Sequence, residues 1–154
     1  MSTLKKLLLA TGIIVVAIQF IQPGLNKNGQ TSGPDISSVL NVPDSVRVII
    51  HNSCYDCHSN STNYPWYSYI QPVGWLLAND IKRGKINMNF SEFAQYPERR
   101  QISKLDEIAD NVTDGSMPLK IYTMMHKKAR LDKNEKELLI NWTQHAKAGL
   151  PPEK

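Results

Sequence analysis

Cysteine is scarce in this chain: of 154 residues only Cys54 and Cys57 are cysteines. A disulfide-stapled scaffold needs several bridges and is excluded. A zinc or iron–sulfur site built from four thiolates is excluded too. Charge of one sign is also in short supply. The 18 basic residues exceed the 14 acidic ones by only +4, and no nucleic-acid partner is expected from so small an excess. No segment alternates apolar and polar residues long enough to make a strand. The charged fraction of 21% is ordinary for a folded protein and argues against disorder. The longest apolar stretch, Leu7 to Ile21, is 15 residues, short of the ~20 that cross a bilayer comfortably.

That stretch nevertheless reads as a membrane address. Lys5 and Lys6 precede it, and a basic end followed by apolar residues keeps its positive side in the cytoplasm. Its exit, Ala17-Ile18-Gln19-Phe20-Ile21-Gln22-Pro23, is a poor small-x-small cleavage site and holds no cysteine for lipidation. Residues 1–23 are therefore expected to be an uncleaved anchor, with a cleaved signal as the alternative. The remainder is expected in the periplasm, on the outer face of the inner membrane. Removing Lys5 and Lys6 leaves 16 basic against 14 acidic residues in 24–154, so half of the excess belongs to topology. Residues 24–37, rich in Gly, Asn and Ser, read as a flexible linker, and 38–150 as one domain.

The domain patterns as helices. Asn41 is a candidate cap with Pro43 in the first turn of a helix carrying Val46, Val48, Ile49 and Ile50. Pro65 to Tyr69 suit one short turn. Pro72 opens a helix holding Trp75, Leu77 and Ile81, with Gly84 as its stop, and Ile86 to Phe90 follow as a loop. Pro97 opens an amphipathic helix with Ile102, Leu105, Ile108 and Val112 at helical spacing, closed by Gly115. Asp132 and Glu135 suit a capping box for a helix whose Leu138, Leu139, Trp142 and Ala146 share a face; Gly149 and Pro151-Pro152 end it. The fold class expected is a small all-α domain.

Cys54-Tyr55-Asp56-Cys57-His58 is C-x-x-C-H, the haem c attachment motif. Two thiols form thioethers with the two vinyl groups on one porphyrin edge. The residue after the second cysteine then offers an imidazole to the iron. One covalent haem c, held by Cys54 and Cys57 with His58 as proximal ligand, consumes every cysteine. A thioredoxin-like C-x-x-C needs a preceding strand, and zinc needs a fourth ligand.

Candidates for a distal ligand are Met88, Met117, Met124, Met125, His51, His126 and His145. Met117 stands in a loop after a helix, beside Pro118, whose fixed φ can hold a thioether in one direction. His126, on the stretch after it, is the rival. Met124 and Met125 suit core packing, His51 is too close to the motif, and His145 suits a surface position. Trp66, Trp75, Trp142, Tyr67, Tyr69 and Phe90 are expected to wall the haem with apolar surface. Tyr122, Arg83 and Lys85 are candidates for its propionates.

The motif with Ser59-Asn60-Ser61-Thr62, then Pro65-Trp66-Tyr67, Pro72 and Trp75, Asn89-Phe90-Ser91, Gly115-Ser116-Met117-Pro118, Tyr122 and the Leu131…Glu135…Leu139…Trp142 close resemble the bacterial haem-binding domain family over roughly residues 38–147. The resemblance implies a membrane-tethered, single-haem, cytochrome c-like protein with Cys54 and Cys57 as thioether residues, His58 proximal and Met117 distal. A Met ligand suits high-potential electron transfer. The expected function is an electron carrier rather than an enzyme, serving redox protein partners or a respiratory membrane complex. The alternative is a five-coordinate haem c enzyme or a gas or peroxide sensor, with His126 or Arg130 as the distal acid–base group.

Overall fold

The computed structural model describes residues 2–27, 29 and 34–150. Residues 28 and 30–33 of the linker and the Pro151-Pro152 stop lie outside the described residues. The described residues fold as eight helices, α1 (Thr3–Ile18), α2 (Ile36–Val39), α3 (Asp44–Ser53), α4 (Tyr55–His58), α5 (Val73–Asn87), α6 (Glu98–Asp114), α7 (Lys120–Met125) and α8 (Lys133–Ala148), with 3-10 turns at Trp66–Tyr69, Phe90–Gln95 and Lys127–Ala129. No strand occurs among them.

The core is where the helical periodicities meet. Val46, Ile49 and Ile50 of α3, Leu105, Ile108 and Val112 of α6, and Leu139 and Trp142 of α8 are buried together. Phe90 and Phe93 from the 3-10 turn complete the cluster. α6 and α8 make the most extensive helix pair. Gly115 ends α6 in the left-handed region (φ 74°) that a side chain disfavours. Asp132 and Glu135 form the expected capping box at the start of α8. Ile36 of α2 is also in this core, while Leu138 faces outward.

Several expectations are corrected. The N-cap of α3 is Pro43, not Asn41. α5 runs through Gly84 to Asn87, so Gly84 is not a stop and the loop begins only at Met88. Trp66 and Tyr69 are exposed rather than core. Met124 and Met125 are exposed as well, because α7 buries none of its residues.

The spanning anchor expected over 1–23 is not supported by helix length. α1 has 16 residues, about 24 Å at 1.5 Å per residue, against a hydrocarbon core of ~30 Å. No helix among the described residues is long and apolar enough to cross a membrane. Two tight hydrogen bonds, Phe20 N–H to the Ala17 carbonyl and Ile21 N–H to the Ile18 carbonyl, carry the helical turn on past Ile18.

Candidate functional site

The C-x-x-C-H segment is a single helical turn joined directly to α3. Cys54 N–H donates to the Ile50 carbonyl at 2.9 Å, and the N–H groups of Cys57 and His58 both donate to the Cys54 carbonyl at 3.2 and 3.0 Å. Cys54 caps the turn and Cys57 lies within it, three residues apart. α5 crosses behind this turn at Gly84. A Cβ there would stand 2.6 Å from the Cys57 carbonyl oxygen and 3.3 Å from the Cys57 Cβ. Only glycine lets the helix come that close, which is why the residue sits in mid-helix despite its cost there.

His58 is oriented by backbone. Its Nδ1 lies 3.0 Å from the Met88 carbonyl oxygen. A carbonyl only accepts, so Nδ1 must carry the proton and Nε2 keeps its lone pair for a metal. Burial pushes the His58 pKa down, against the raising effect of the Met88 and Gly84 carbonyls. Burial thus favours the neutral ring, the form that ligates. Phe90 flanks it with ring centroids 5.9 Å apart and stacks on Tyr55 at 5.2 Å.

The Met88 carbonyl is itself held by a buried polar network. Asn89 Nδ2 donates to Asn60 Oδ1 at 2.8 Å, Asn60 N–H to Ser91 Oγ at 3.1 Å, and Ser91 N–H to Asn89 Oδ1 at 3.1 Å. Asn60, Asn89 and Ser91 are all buried. This network ties the residue two past His58 to the residue after Met88, and so sets the carbonyl under the imidazole.

Both thiols are pushed up to about 12, mainly by burial; the second cause is Cys57 for Cys54 and Asp56 for Cys57. A thiol-exchange C-x-x-C works through a lowered pKa, so these neutral thiols argue against that chemistry. No cluster of three or more His, Cys, Asp or Glu able to hold a metal ion occurs among the described residues.

The turn opens on a cavity of about 280 Å³ lined by Cys57, His58, Asp80, Arg83, Met117 and Tyr122, among others. A smaller one of about 60 Å³ lies against Cys54, His58, Phe90 and Met117. Cys57, His58 and Met117 therefore face one space. Met117 is held there by the end of α6: its N–H donates to the Asn111 carbonyl at 3.0 Å, and Ser116 N–H to Asp114 Oδ1 at 2.8 Å. The latter bond holds the Asp114 carboxyl below its ordinary range.

Of the other distal candidates only Met88 borders either cavity, the smaller one. His126 is outside both cavities, stacked on Tyr122 at 4.0 Å with its Nδ1 3.1 Å from the Tyr122 carbonyl. His51 stacks on Tyr55, His145 is exposed on α8, and Met88 offers its carbonyl to His58. Arg83 lines the larger cavity. Lys85 instead donates to Asn26 Oδ1 at 2.8 Å, and the Tyr122 hydroxyl to Asp56 Oδ2 at 2.6 Å. Trp142 is buried far from the motif in sequence and donates to the Asn41 carbonyl. Sequence reasoning missed the Met88 carbonyl, the approach at Gly84 and the Asn60–Asn89 network. Their only signals were an invisible backbone atom, a glycine read as a stop, and two asparagines 29 residues apart.

One observation tests whether these residues suit a bound group. Ser53 Oγ is buried, without a hydrogen-bond partner, and Ser53 lines both cavities. Buried hydroxyls are almost always paired, so a lone one at a cavity wall marks a place where a partner belongs. Cys57 borders the larger cavity and Cys54 the smaller, and His58 and Met117 border both; two thiols, a free Nε2 and a thioether make a donor set that fits haem.

The haem-binding domain family matches residues 13–145. The chain belongs to that family. No curated protein and no solved structure matches it. It is therefore a haem-binding protein, helical throughout its regular elements among the described residues, and the match spans nearly all of the folded domain together with the distal part of α1.

Proposed function

We propose that this haem-binding protein carries electrons through one haem c, attached through Cys54 and Cys57 and ligated by His58 and Met117. The observation that carries the reading is the imidazole of His58. Its Nδ1 is tied to the Met88 carbonyl at 3.0 Å, and Met117 faces the same cavity. Bound there, haem supplies a one-electron iron couple. The chain's own residues do the rest. Gly84 and the Asn60–Asn89 network hold the proximal face, and the hydrogen bond on Nδ1 strengthens Nε2 as a donor. The Met117 thioether favours ferrous iron and raises the potential, and Phe90 keeps water from the proximal side.

A distal acid–base group, which an enzyme or peroxide sensor needs, is not supplied by either residue suggested for it. His126 faces Tyr67 and Tyr122, with Tyr67 Oη 3.3 Å from its Nδ1, and Arg130 Nε donates to the Thr123 carbonyl at 2.9 Å. The carrier reading is favoured accordingly. We place it at the outer face of the inner membrane, with α1 inserted and Lys5 and Lys6 on the cytoplasmic side. Lysine stems reach toward the headgroups, and the turn extending α1 to Ile21 adds length to a short helix. A redox protein or a respiratory membrane complex is the partner class.

The test is spectroscopic. Protein made with a haem c maturation system should give a c-type pyridine haemochrome. Its ferric form should show a methionine-sulfur charge-transfer band that Met117→Leu abolishes and His126→Leu leaves intact. A high-spin resting spectrum would transfer the protein to the enzyme or sensor class. Loss of the low-spin spectrum in His126→Leu alone would make His126 the ligand.

A further inference from the structure

The foot of α1 is joined to the domain by side chains, not only by the linker. Gln19 Nε2 donates to the Gln71 carbonyl at 3.1 Å, and Gln71 N–H returns a bond to Gln19 Oε1 at 2.9 Å. Gln71 Nε2 donates to Gln22 Oε1 at 2.9 Å, Gln22 Nε2 to the Tyr69 carbonyl at 3.2 Å, and Trp75 Nε1 to the Ile21 carbonyl at 2.8 Å. Gln71, at the centre of the clamp, is 3% exposed. The exit of an apolar helix is thus fixed against the start of α5.

Around this clamp the domain turns apolar side chains outward. Trp66 is 72% exposed, Leu76 56%, Tyr69 and Ile70 46% each, and Val73 41%. Trp66 and Tyr69 are three apart in a 3-10 turn, where such positions eclipse. Val73 and Leu76 are three apart at the start of α5 and share a face. The stretch from Cys57 to Asn79 contains no Asp, Glu, Lys or Arg at all. A protein docking surface is ordinarily rimmed by polar and charged groups. A stretch of exposed Trp, Tyr and branched aliphatics with no charge of its own has the composition of the membrane–water interface, where amphipathic rings settle at headgroup depth.

We propose that this face, Trp66 to Leu76, rests on the lipid bilayer beside α1, so that the domain lies against the membrane instead of swinging from a linker. The proposal builds on the reading of α1 as membrane-inserted. The bilayer is favoured over a protein partner because the clamp brings the face to the point where the apolar helix ends. It also keeps the cavity close to the surface. Leu76 and the cavity-lining Arg83 are seven residues apart on α5, about 10 Å along its axis. A site so close to the surface suits a redox partner embedded in the same membrane rather than one that must approach from the bulk.

The experiment places the full-chain holoprotein in nanodiscs of phosphatidylethanolamine and phosphatidylglycerol carrying a diazirine on the acyl chain. Irradiation labels groups that touch the acyl region, and peptide mass spectrometry locates the adducts. Adducts on α1 and on the 66–76 segment, with none on the α8 peptide containing exposed His145, are the expected result. Adducts on α1 alone would overturn the docking face while leaving the inserted helix standing. Adducts on neither would overturn both. Adducts on α8 comparable to those on 66–76 would overturn the docking face by showing no preferred orientation.

Discussion

The two sides of the proposed haem site are built differently. The proximal turn, α4, is held from three directions: Gly84 of α5 presses against the Cys57 carbonyl, the Met88 carbonyl holds His58, and the Asn60–Asn89–Ser91 network locks the two segments together. The distal side has Met117 on a short loop tied to α6, followed by α7, none of whose residues is buried. Ile121 and Met124 of α7 are 63% and 71% exposed. A side rich in buried contacts opens rarely, and a side with few opens readily. The His58 half is a platform of buried contacts, whereas the Met117 half is a strap with few.

Substitutions on the platform should therefore cost stability, and substitutions on the strap should cost ligation. The largest loss is expected from Phe90→Ala. The ring is 1% exposed and touches both Tyr55 and His58, and removing a buried Phe costs about 3–5 kcal/mol. Urea unfolding of the apoprotein reads this directly. Gly84→Ala comes next. The new methyl meets backbone, which cannot rotate away, and overpacking of that kind costs about 1–3 kcal/mol. The same variant should lower the yield of covalent haem, because the Cys57 carbonyl must move. A normal yield and normal stability would show that α5 can slide, and that the platform is less firmly held than its contacts suggest.

Met117→Leu draws the contrast from the other side. The swap conserves volume and should change stability by under about 1.5 kcal/mol. The low-spin ferric spectrum, by contrast, should be lost and the potential should fall, since the thioether favours ferrous iron. If unfolding and spectrum change together, the strap is structural and the division between the two sides disappears.

Which parts of this arrangement are legible from sequence follows the same division. C-x-x-C-H is local, five residues in one turn, and its chemistry is carried by spacing alone. Pro97, Gly115 and the Asp132–Glu135 box mark helix ends through backbone rules that act within a few residues. Met117 could be singled out because a loop and a proline flank it. Contacts that depend on tertiary approach leave no such trace. Gly84 looks like a stop because glycine often is one, and only the crossing of α5 over Cys57 shows the space it keeps clear. The carbonyl of Met88 is a backbone atom that any residue would supply. Met124 and Met125 follow an apolar pattern, yet both stay exposed. Trp66 and Tyr69 follow one too, and the clamp at Gln71 leaves them outside.

The smallest effect expected is also the most diagnostic, because its sign should differ between the two forms of the protein. Ser53 Oγ is buried without a partner in a wall shared by both cavities. An unsatisfied buried hydroxyl costs about 1–3 kcal/mol. Ser53→Ala removes that burden, so the apoprotein should become more stable by about 1 kcal/mol or slightly less, allowing for the small void left behind. If the hydroxyl donates to the group that fills the cavity, the holoprotein should instead lose about 0.5–1.5 kcal/mol and its potential should shift. Parallel urea titrations of both forms measure the two signs. Stabilisation of both forms would mean that Ser53 stays unpaired when haem is bound, leaving the proposed donor set of Cys54, Cys57, His58 and Met117 without its help. Opposite signs would place Ser53 at the seam between platform and strap, where the bound group supplies the partner that neither side provides.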